Sequence, residues 1–149
     1  GFAKFRGLDA FDQKTFFTNG ENVPLIVHVP GSSIIVQDDA PASHLDYAPT
    51  ILGLLGIKTP RTMLGQDLLS PRKPVAIRRN TAGSVEIIET SDVLYTNPGD
   101  GKFASGSCYT ADDHRLIALS ACKLVYDEQS ALAKVSDLVV RGDALNLIK

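Results

Sequence analysis

The apolar residues near the start of the chain predict a buried β-strand. Val23 to Val29 read Val-Pro-Leu-Ile-Val-His-Val, an almost continuous apolar run that is typical of a strand covered on both faces in a parallel sheet. Pro30-Gly31 ends the run, and Ser32 to Val36 are a candidate for a second short strand. We therefore expect this part of the chain to contribute strands to a mostly parallel sheet.

A helix is predicted after the loop that follows. Asp46 can cap a helix that starts at Tyr47, and Gly56 suits a left-handed residue at its C-terminal end. Pro49 falls in the first turn, where its missing N–H does no harm. Met63 to Leu69 then reads as a turn with one helical turn, so strand, loop and helix alternate in this half.

The pattern changes after Pro74 to short β-like segments that are separated by turn residues. Such segments, rich in β-branched residues and bounded by asparagine and glycine, predict a hairpin or an antiparallel meander. They are Val75 to Arg78, Val85 to Thr90 and Val93 to Thr96.

A helix is predicted to follow the meander. It would begin near Asp112-Asp113, because acidic residues suit the first turn of a helix. Ser136 to Asp143 predict a further short helix that Gly142 would stop. One side of the first helix would carry Ala118, Cys122, Val125, Tyr126 and Gln129.

The composition is that of an ordinary globular domain. The chain has 149 residues, of which 44% are apolar, and 15 basic residues nearly balance 17 acidic ones for a net charge of -2. No basic face is indicated, so nucleic acid is not an expected partner. The apolar runs are far shorter than the roughly 20 residues of a membrane-spanning helix, so no span is expected.

Two cysteines leave two interpretations open. Cys108 and Cys122 are fourteen residues apart, and neither has a second cysteine or a histidine at zinc-ligand spacing. They are either two buried free thiols or, if the chain works outside the cytoplasm, one disulfide.

Three segments in a fixed order resemble the closing part of sulfatase-like catalytic domains, which belong to the alkaline-phosphatase superfamily. They are a Val-Pro-Leu-hydrophobic-Pro-Gly strand at 23–31, an Asp-x-x-Pro-Thr-hydrophobic helix from Asp46, and a Gly-x-Asp-Leu turn from Gly65. His28 before Val-Pro-Gly, and the ending Val140 to Leu145, look most similar to the lipoteichoic acid synthases, a group of phosphoglycerol transferases.

The resemblance implies an enzyme at the extracytoplasmic face of the bacterial cell membrane. Such enzymes take glycerophosphate from phosphatidylglycerol and pass it to an envelope polymer or glycolipid, with a threonine nucleophile and a divalent metal, usually manganese. The family's Gly-Asp-His metal motif and its threonine would lie upstream of Gly1. We therefore expect this chain to hold no catalytic residue, metal ligand or cofactor, and to have the upstream part of the same domain as its partner.

The expected fold is a fragment of an alkaline-phosphatase-like α/β sulfatase fold. Residues 1–72 would be the end of the catalytic domain, at the edge of a mostly parallel sheet. Residues 73–149 would form a small β/α subdomain, an antiparallel sheet that carries a helix.

Histidines offer the first candidate site residues. His28 is a weak candidate for substrate binding, because it lies near a strand end, where α/β sheets place ligands; a histidine packed in or beside the sheet is the simpler interpretation. His44 and Asp46 could be two metal ligands, but a helix cap and an exposed loop histidine are favoured.

Other polar residues have simpler interpretations than chemistry. The Asp112-Asp113-His114 sequence suits a helix start better than a metal site, and Thr50 matches the structural Pro-Thr pair of the family rather than its nucleophile. Ser105-Gly-Ser107 lacks the Gly-x-Ser-x-Gly pattern of a hydrolase elbow. Three scattered cations, more typical of a solvated face than of an anion site, are Arg72, Arg78 and Arg79.

Two alternative functions remain at this point. The chain could belong to a hydrolase, a sulfatase or phosphatase, whose upstream sequence would carry a modifiable cysteine or serine in place of threonine. It could also be a non-catalytic module that binds an anionic envelope polymer with its β-rich half.

Overall fold

The computed structural model describes residues 25–33, 38–60 and 63–141, and the side chains as far as residue 138. The chain divides into two compact units, Gly1–Asp38 and Asp39–Lys149. The second unit is α/β: a five-stranded antiparallel sheet and a C-terminal helix, preceded by a short helix. The boundary predicted between residues 72 and 73 stays a prediction.

In the first unit, the predicted buried strand is not formed. Residues 25–29 carry no ladder of hydrogen bonds, and Ile26 is 84% exposed. A parallel strand exists only with neighbours on either side, and the described residues supply none. The turn at Pro30-Gly31 is confirmed: Ser32 N–H donates to Val29 O, and Gly31 has the positive φ that favours glycine. Val23, Pro24 and most of the second predicted strand lie outside the described residues.

The first helix of the second unit, α1, is Tyr47–Leu54, as predicted. It ends in a Schellman motif: Gly56 has a φ of +67°, its N–H donates to Gly53 O, and Ile57 N–H donates to Leu52 O at 2.8 Å. The helix is preceded by one turn of 3₁₀ helix, His44–Asp46.

The sheet is a meander in which each strand pairs with the next along the chain. All pairs are antiparallel, and tight turns at Asn80–Ser84, Thr90–Val93 and Thr110–Arg115 join three of the four pairs. Three strands match the sequence prediction and two short ones were not predicted. The strands are β1 Val75–Arg79, β2 Val85–Thr90, β3 Val93–Thr96, β4 Ser107–Thr110 and β5 Leu116–Ile117.

A row of cross-strand partners forms the core of this unit. Ile77 faces Ile88, which faces Tyr95, and the row continues through Cys108 to Ile117. Ile88, Tyr95 and Cys108 have no exposed surface, because the C-terminal helix covers this face of the sheet. Alternation of side chains along each strand is what brings one residue from every strand onto the same face.

The C-terminal helix, α2, is Lys123–Arg141 and follows a 3₁₀ turn, Leu119–Cys122. The prediction that a helix begins at Asp112 is wrong, because Asp112 and Asp113 lie in the turn between β4 and β5. The separate helix predicted from Ser136 is also wrong, since α2 runs through it without a break. Gly142, its predicted stop, lies outside the described residues.

Cys108 and Cys122 form a disulfide, with Cα atoms 5.9 Å apart. It joins β4 to the turn before α2 and lies within the core. The two interpretations of the cysteines are thereby resolved in favour of the disulfide.

Candidate functional site

Two of the three segments that carry the resemblance, the helix from Asp46 and the turn from Gly65, meet at a buried polar network around Asp46. Asp46 is 4% exposed, and both of its carboxylate oxygens accept backbone N–H groups. Gln66 N–H donates to Oδ1 at 2.7 Å, and Ser43 N–H donates to Oδ2 at 2.8 Å. A buried carboxylate satisfied in this way holds two separate loops in place.

Thr50, one helical turn later, forms the second link. Its hydroxyl donates to Asp46 O at 2.6 Å and accepts Leu68 N–H at 3.0 Å. The hydroxyl is therefore engaged on both sides, and Thr50 is 2% exposed. This geometry agrees with the structural role that the sequence predicts for the Pro-Thr pair.

Gly65 explains why the Gly-x-Asp-Leu turn begins with glycine. A Cβ on Gly65 would lie 1.9 Å from Leu45 O, so the two backbones are too close for any side chain. At Asp67, the carboxylate accepts Leu69 N–H at 3.0 Å and the Ser70 hydroxyl at 2.8 Å, which fixes the end of the turn. In these motifs, Gly65 therefore allows two backbone segments to approach each other, and the Asp67 and Thr50 side chains bond to backbone groups.

Asp46 was predicted to cap α1, and the structure corrects this. Its side chain makes no hydrogen bond to the first turn of α1; it reaches back to Ser43 and across to Gln66. The Asp46 carboxylate bonds a loop twenty residues away instead of the first turn of α1. Residue spacing alone does not indicate which of the two bonds forms. Gln66 itself was missed: its amide donates to Lys73 O at 2.9 Å and accepts Lys73 N–H at 3.1 Å.

Both candidate histidines are exposed. His28 is exposed and lies in no sheet, so the simpler interpretation, packing in or beside a sheet, is not what the structure has. His44 is exposed as predicted, with its ring edge-on to Tyr47 at 5.2 Å between centroids. A substrate-binding role for His28 stays a prediction.

The Asp112-Asp113-His114 sequence forms a hairpin turn. Asp113 accepts the Thr110 hydroxyl and Arg115 N–H, and these bonds lower the pKa of the Asp113 carboxyl, the threonine bond most. His114 has a φ of +52°, a left-handed conformation that the turn requires. On β2, burial raises the pKa of Glu89, an effect that the nearby His114 opposes.

The three predicted surface arginines all have partners within the chain. Arg72 donates to Pro41 O at 2.8 Å, Arg78 pairs with Glu86 at 3.2 Å, and Arg79 pairs with Asp137 at 2.8 Å. They therefore hold loops, strands and α2 together. Within residues 25–33, 38–60 and 63–141, no group of three or more His, Cys, Asp or Glu side chains could hold a metal ion.

A second polar cluster, which the sequence did not reveal, lies under the β3–β4 connection. The Tyr95 hydroxyl donates to Phe103 O at 3.1 Å, and Asn97 donates to that hydroxyl and to Lys102 O. Burial raises the pKa of Tyr95, and the Asn97 bond opposes the rise. The ring of Tyr126 from α2 packs edge-on against Tyr95, 5.1 Å between centroids. The cluster therefore fixes the loop between β3 and β4.

A comparison with known proteins gives one related sequence to report. The chain is 25% identical, over 118 residues, to a protein of Escherichia coli strain K12 described as the uncharacterized sulfatase YidJ. The relationship to sulfatases is distant. The aligned region is 78% of this chain and only 22% of the relative, so the chain spans about a fifth of the length of the relative it matches. No protein-family model matches the chain, and no solved structure matches it.

The similarity supports a sulfatase-like relationship and no narrower one. It agrees with the resemblance at the level of the superfamily, while the likeness to lipoteichoic acid synthases has no support from it. No helix in the described part of the chain has the length and apolar character needed to cross a bilayer.

Proposed function

We propose that the chain is the structural C-terminal part of a sulfatase-like enzyme, an extracytoplasmic phosphoglycerol transferase that uses a divalent metal such as manganese. The observation that carries this proposal is the Asp46–Thr50 network. The Asp46 carboxylate and the Thr50 hydroxyl both bond to backbone groups of the helix and of the turn that resemble the superfamily, which is what a scaffold requires. The nucleophile and metal ligands would come from the upstream part of the domain.

The disulfide supports the extracytoplasmic location. Disulfides form and persist in oxidising compartments and are rare in the cytosol of mesophiles. Cys108 and Cys122 are completely buried in the core, so their bond is a structural one. Transfer of phosphoglycerol, rather than the location, is the part of the proposal that rests on the resemblance alone.

The experiment compares two proteins, this chain and the full-length product of its gene. Both are incubated with manganese and a fluorescent phosphatidylglycerol, and release of labelled lipid product is measured. We expect turnover only by the full-length protein, abolished by a chelator. Turnover by the 149-residue chain alone would refute the scaffold role and would direct attention to His28, His44 and Asp46.

A sulfatase is the second candidate, because the curated relative is described as one. The same proteins are therefore assayed with an aryl sulfate. Sulfate release without action on phosphatidylglycerol would favour the hydrolase over the transferase. Saturable binding of an anionic envelope polymer by the isolated chain, without turnover by either protein, would instead support the binding module.

A further inference from the structure

The helix α1 has no charged face. From Tyr47 to Ile57 the chain has no charged residue, and a helix that is apolar all round is normally buried. Only Pro49 and Thr50 are buried here, against the turn that follows. The opposite side is open to solvent. Its residues are three and four positions apart along the chain: Ile51 is 56% exposed, Leu54 40% and Leu55 65%.

The helix α2 has a second apolar side as well. Its inner side packs on the sheet through Val125, Tyr126 and Ala133. On its outer side, four apolar residues at successive spacings of seven, four and three positions form an apolar stripe, which we call the outer stripe. Its members are Leu124 at 72% exposed, Ala131, Val135 at 51% and Leu138 at 72%.

We propose that the open side of α1 and the outer stripe of α2 are both contact surfaces for the rest of a sulfatase-like catalytic domain, encoded upstream in the same gene. This inference rests on the proposed function, and the size of the relative argues for it. The region of the chain that aligns covers only 22% of that protein, so most of the relative has no counterpart in this chain. Exposed apolar stripes on two different elements call for such a cover.

A second copy of the chain fits these surfaces less well. A dimer through the outer stripe would cover α2 and leave α1 open. The stripe is also interrupted by Glu128, which pairs with Lys73 at 3.5 Å, at a position where a paired helix would place an apolar side chain. One large partner accounts for both helices, and self-association accounts for one.

Hydrogen exchange tests the proposal directly. The 149-residue chain and the full-length gene product, in detergent if it carries membrane spans, are compared amide by amide over α1 and α2. We expect exchange of α1 to slow at least about tenfold in the full-length protein, because a covered helix opens less often. Equal exchange in the two proteins would overturn the proposal.

Paired substitutions give a second readout. Ile51→Ser with Leu55→Ser, and Leu124→Ser with Leu138→Ser, remove apolar surface that is exposed in the isolated chain. Each pair should lower the Tm of the full-length protein by about 5 °C or more and change that of the chain by about 2 °C or less. Lys134→Ser, on α2 but outside the stripe, is the control and should change neither.

Three outcomes would contradict the inference. They are a chain that dimerises in light scattering and becomes monomeric with the Leu124/Leu138 pair, substitutions that act equally in both proteins, and a gene with no upstream coding sequence. These readouts need no turnover. Protection of the helices in a full-length protein that transfers no phosphoglycerol would therefore refute the proposed function and leave the contact surfaces standing.

Discussion

The unit from Asp39 onward contains two regions that are held together in different ways. The meander with α2 has a core of fully buried side chains around Ile88, Tyr95 and the disulfide. The region of α1 and the Gly65–Leu68 turn has a buried polar network instead, and its apolar side chains point outward. The first region supplies its own core, while the second leaves Ile51, Leu54 and Leu55 exposed.

Polar bonds and apolar burial contribute differently to the two regions. The network of Asp46 and Thr50 fixes the path of the backbone without burying much apolar surface, so it gives geometry rather than stability. Apolar burial contributes most of the stability of a fold, and the meander has it. Substitutions in the two regions should therefore differ in their cost to stability.

The largest effect is expected at the centre of the meander. Ile88→Ala removes a side chain with no exposed surface and should lower the free energy of unfolding by about 2–5 kcal/mol, because a cavity is left behind. Ile51→Ala is the matched control: the same change at a 56% exposed site should cost about 0.5 kcal/mol or less in the isolated chain. Denaturant unfolding measures both, and equal costs would erase the contrast.

The disulfide should come next. Replacing Cys108 and Cys122 together with serine should destabilise the meander by about 3 kcal/mol, since closing a loop of about 15 residues restricts the unfolded chain by that much. Thermal unfolding of the variant, and of the parent chain with and without reductant, measures the effect. A variant as stable as the parent would mean that the core does not depend on this bond.

A smaller and local effect is expected in the polar network. Asp46→Asn keeps one acceptor oxygen but turns an NH₂ group toward a backbone N–H, so about 1–3 kcal/mol should be lost. Hydrogen exchange should show faster opening of α1 and of the Gln66–Leu68 turn, with the meander unchanged. Faster exchange throughout the meander would show that the two regions are one cooperative unit.

The smallest effect concerns alkaline pH and Tyr95. Burial raises its pKa in the folded chain, so unfolding releases a proton there at high pH. The stability that depends on neutral Tyr95 is complete below the unfolded pKa of about 10 and is lost as the pH rises through the higher folded value. Tyrosinate absorbance should show one late-ionising tyrosine, absent in Tyr95→Phe. A parent chain whose tyrosines all ionise together would contradict this.

Much of this fold could be predicted from local patterns, and the errors have a physical cause. The end of α1 follows from a glycine stop and three strands follow from β-branched runs, both of which act within a few residues. The helix start predicted at Asp112 and Asp113 is wrong because acidic residues suit a hairpin turn as well as a helix start. The strand expected over Val23 to Val29 failed at residues 25–29 because its partners are not among the described residues.

The network around Asp46 could be predicted only in part. The motif pattern indicates that Asp46, Thr50 and Gly65 are structural, but no spacing rule says that a carboxylate bonds Gln66 twenty residues away. That bond depends on how the helix and the turn pack, which is tertiary information. The Tyr95–Asn97 cluster could not be predicted from the sequence for the same reason, since its partners come from β3, a loop and α2.

The order of the strands has a consequence for how the chain acquires its structure. Because each strand pairs with the one just before it, most contacts of the sheet join residues that are close in sequence, and such topologies fold quickly. The sheet can form before α2 is complete, and oxidation of Cys108 and Cys122 can then lock the start of α2 onto it. We therefore expect the meander to assemble early in folding.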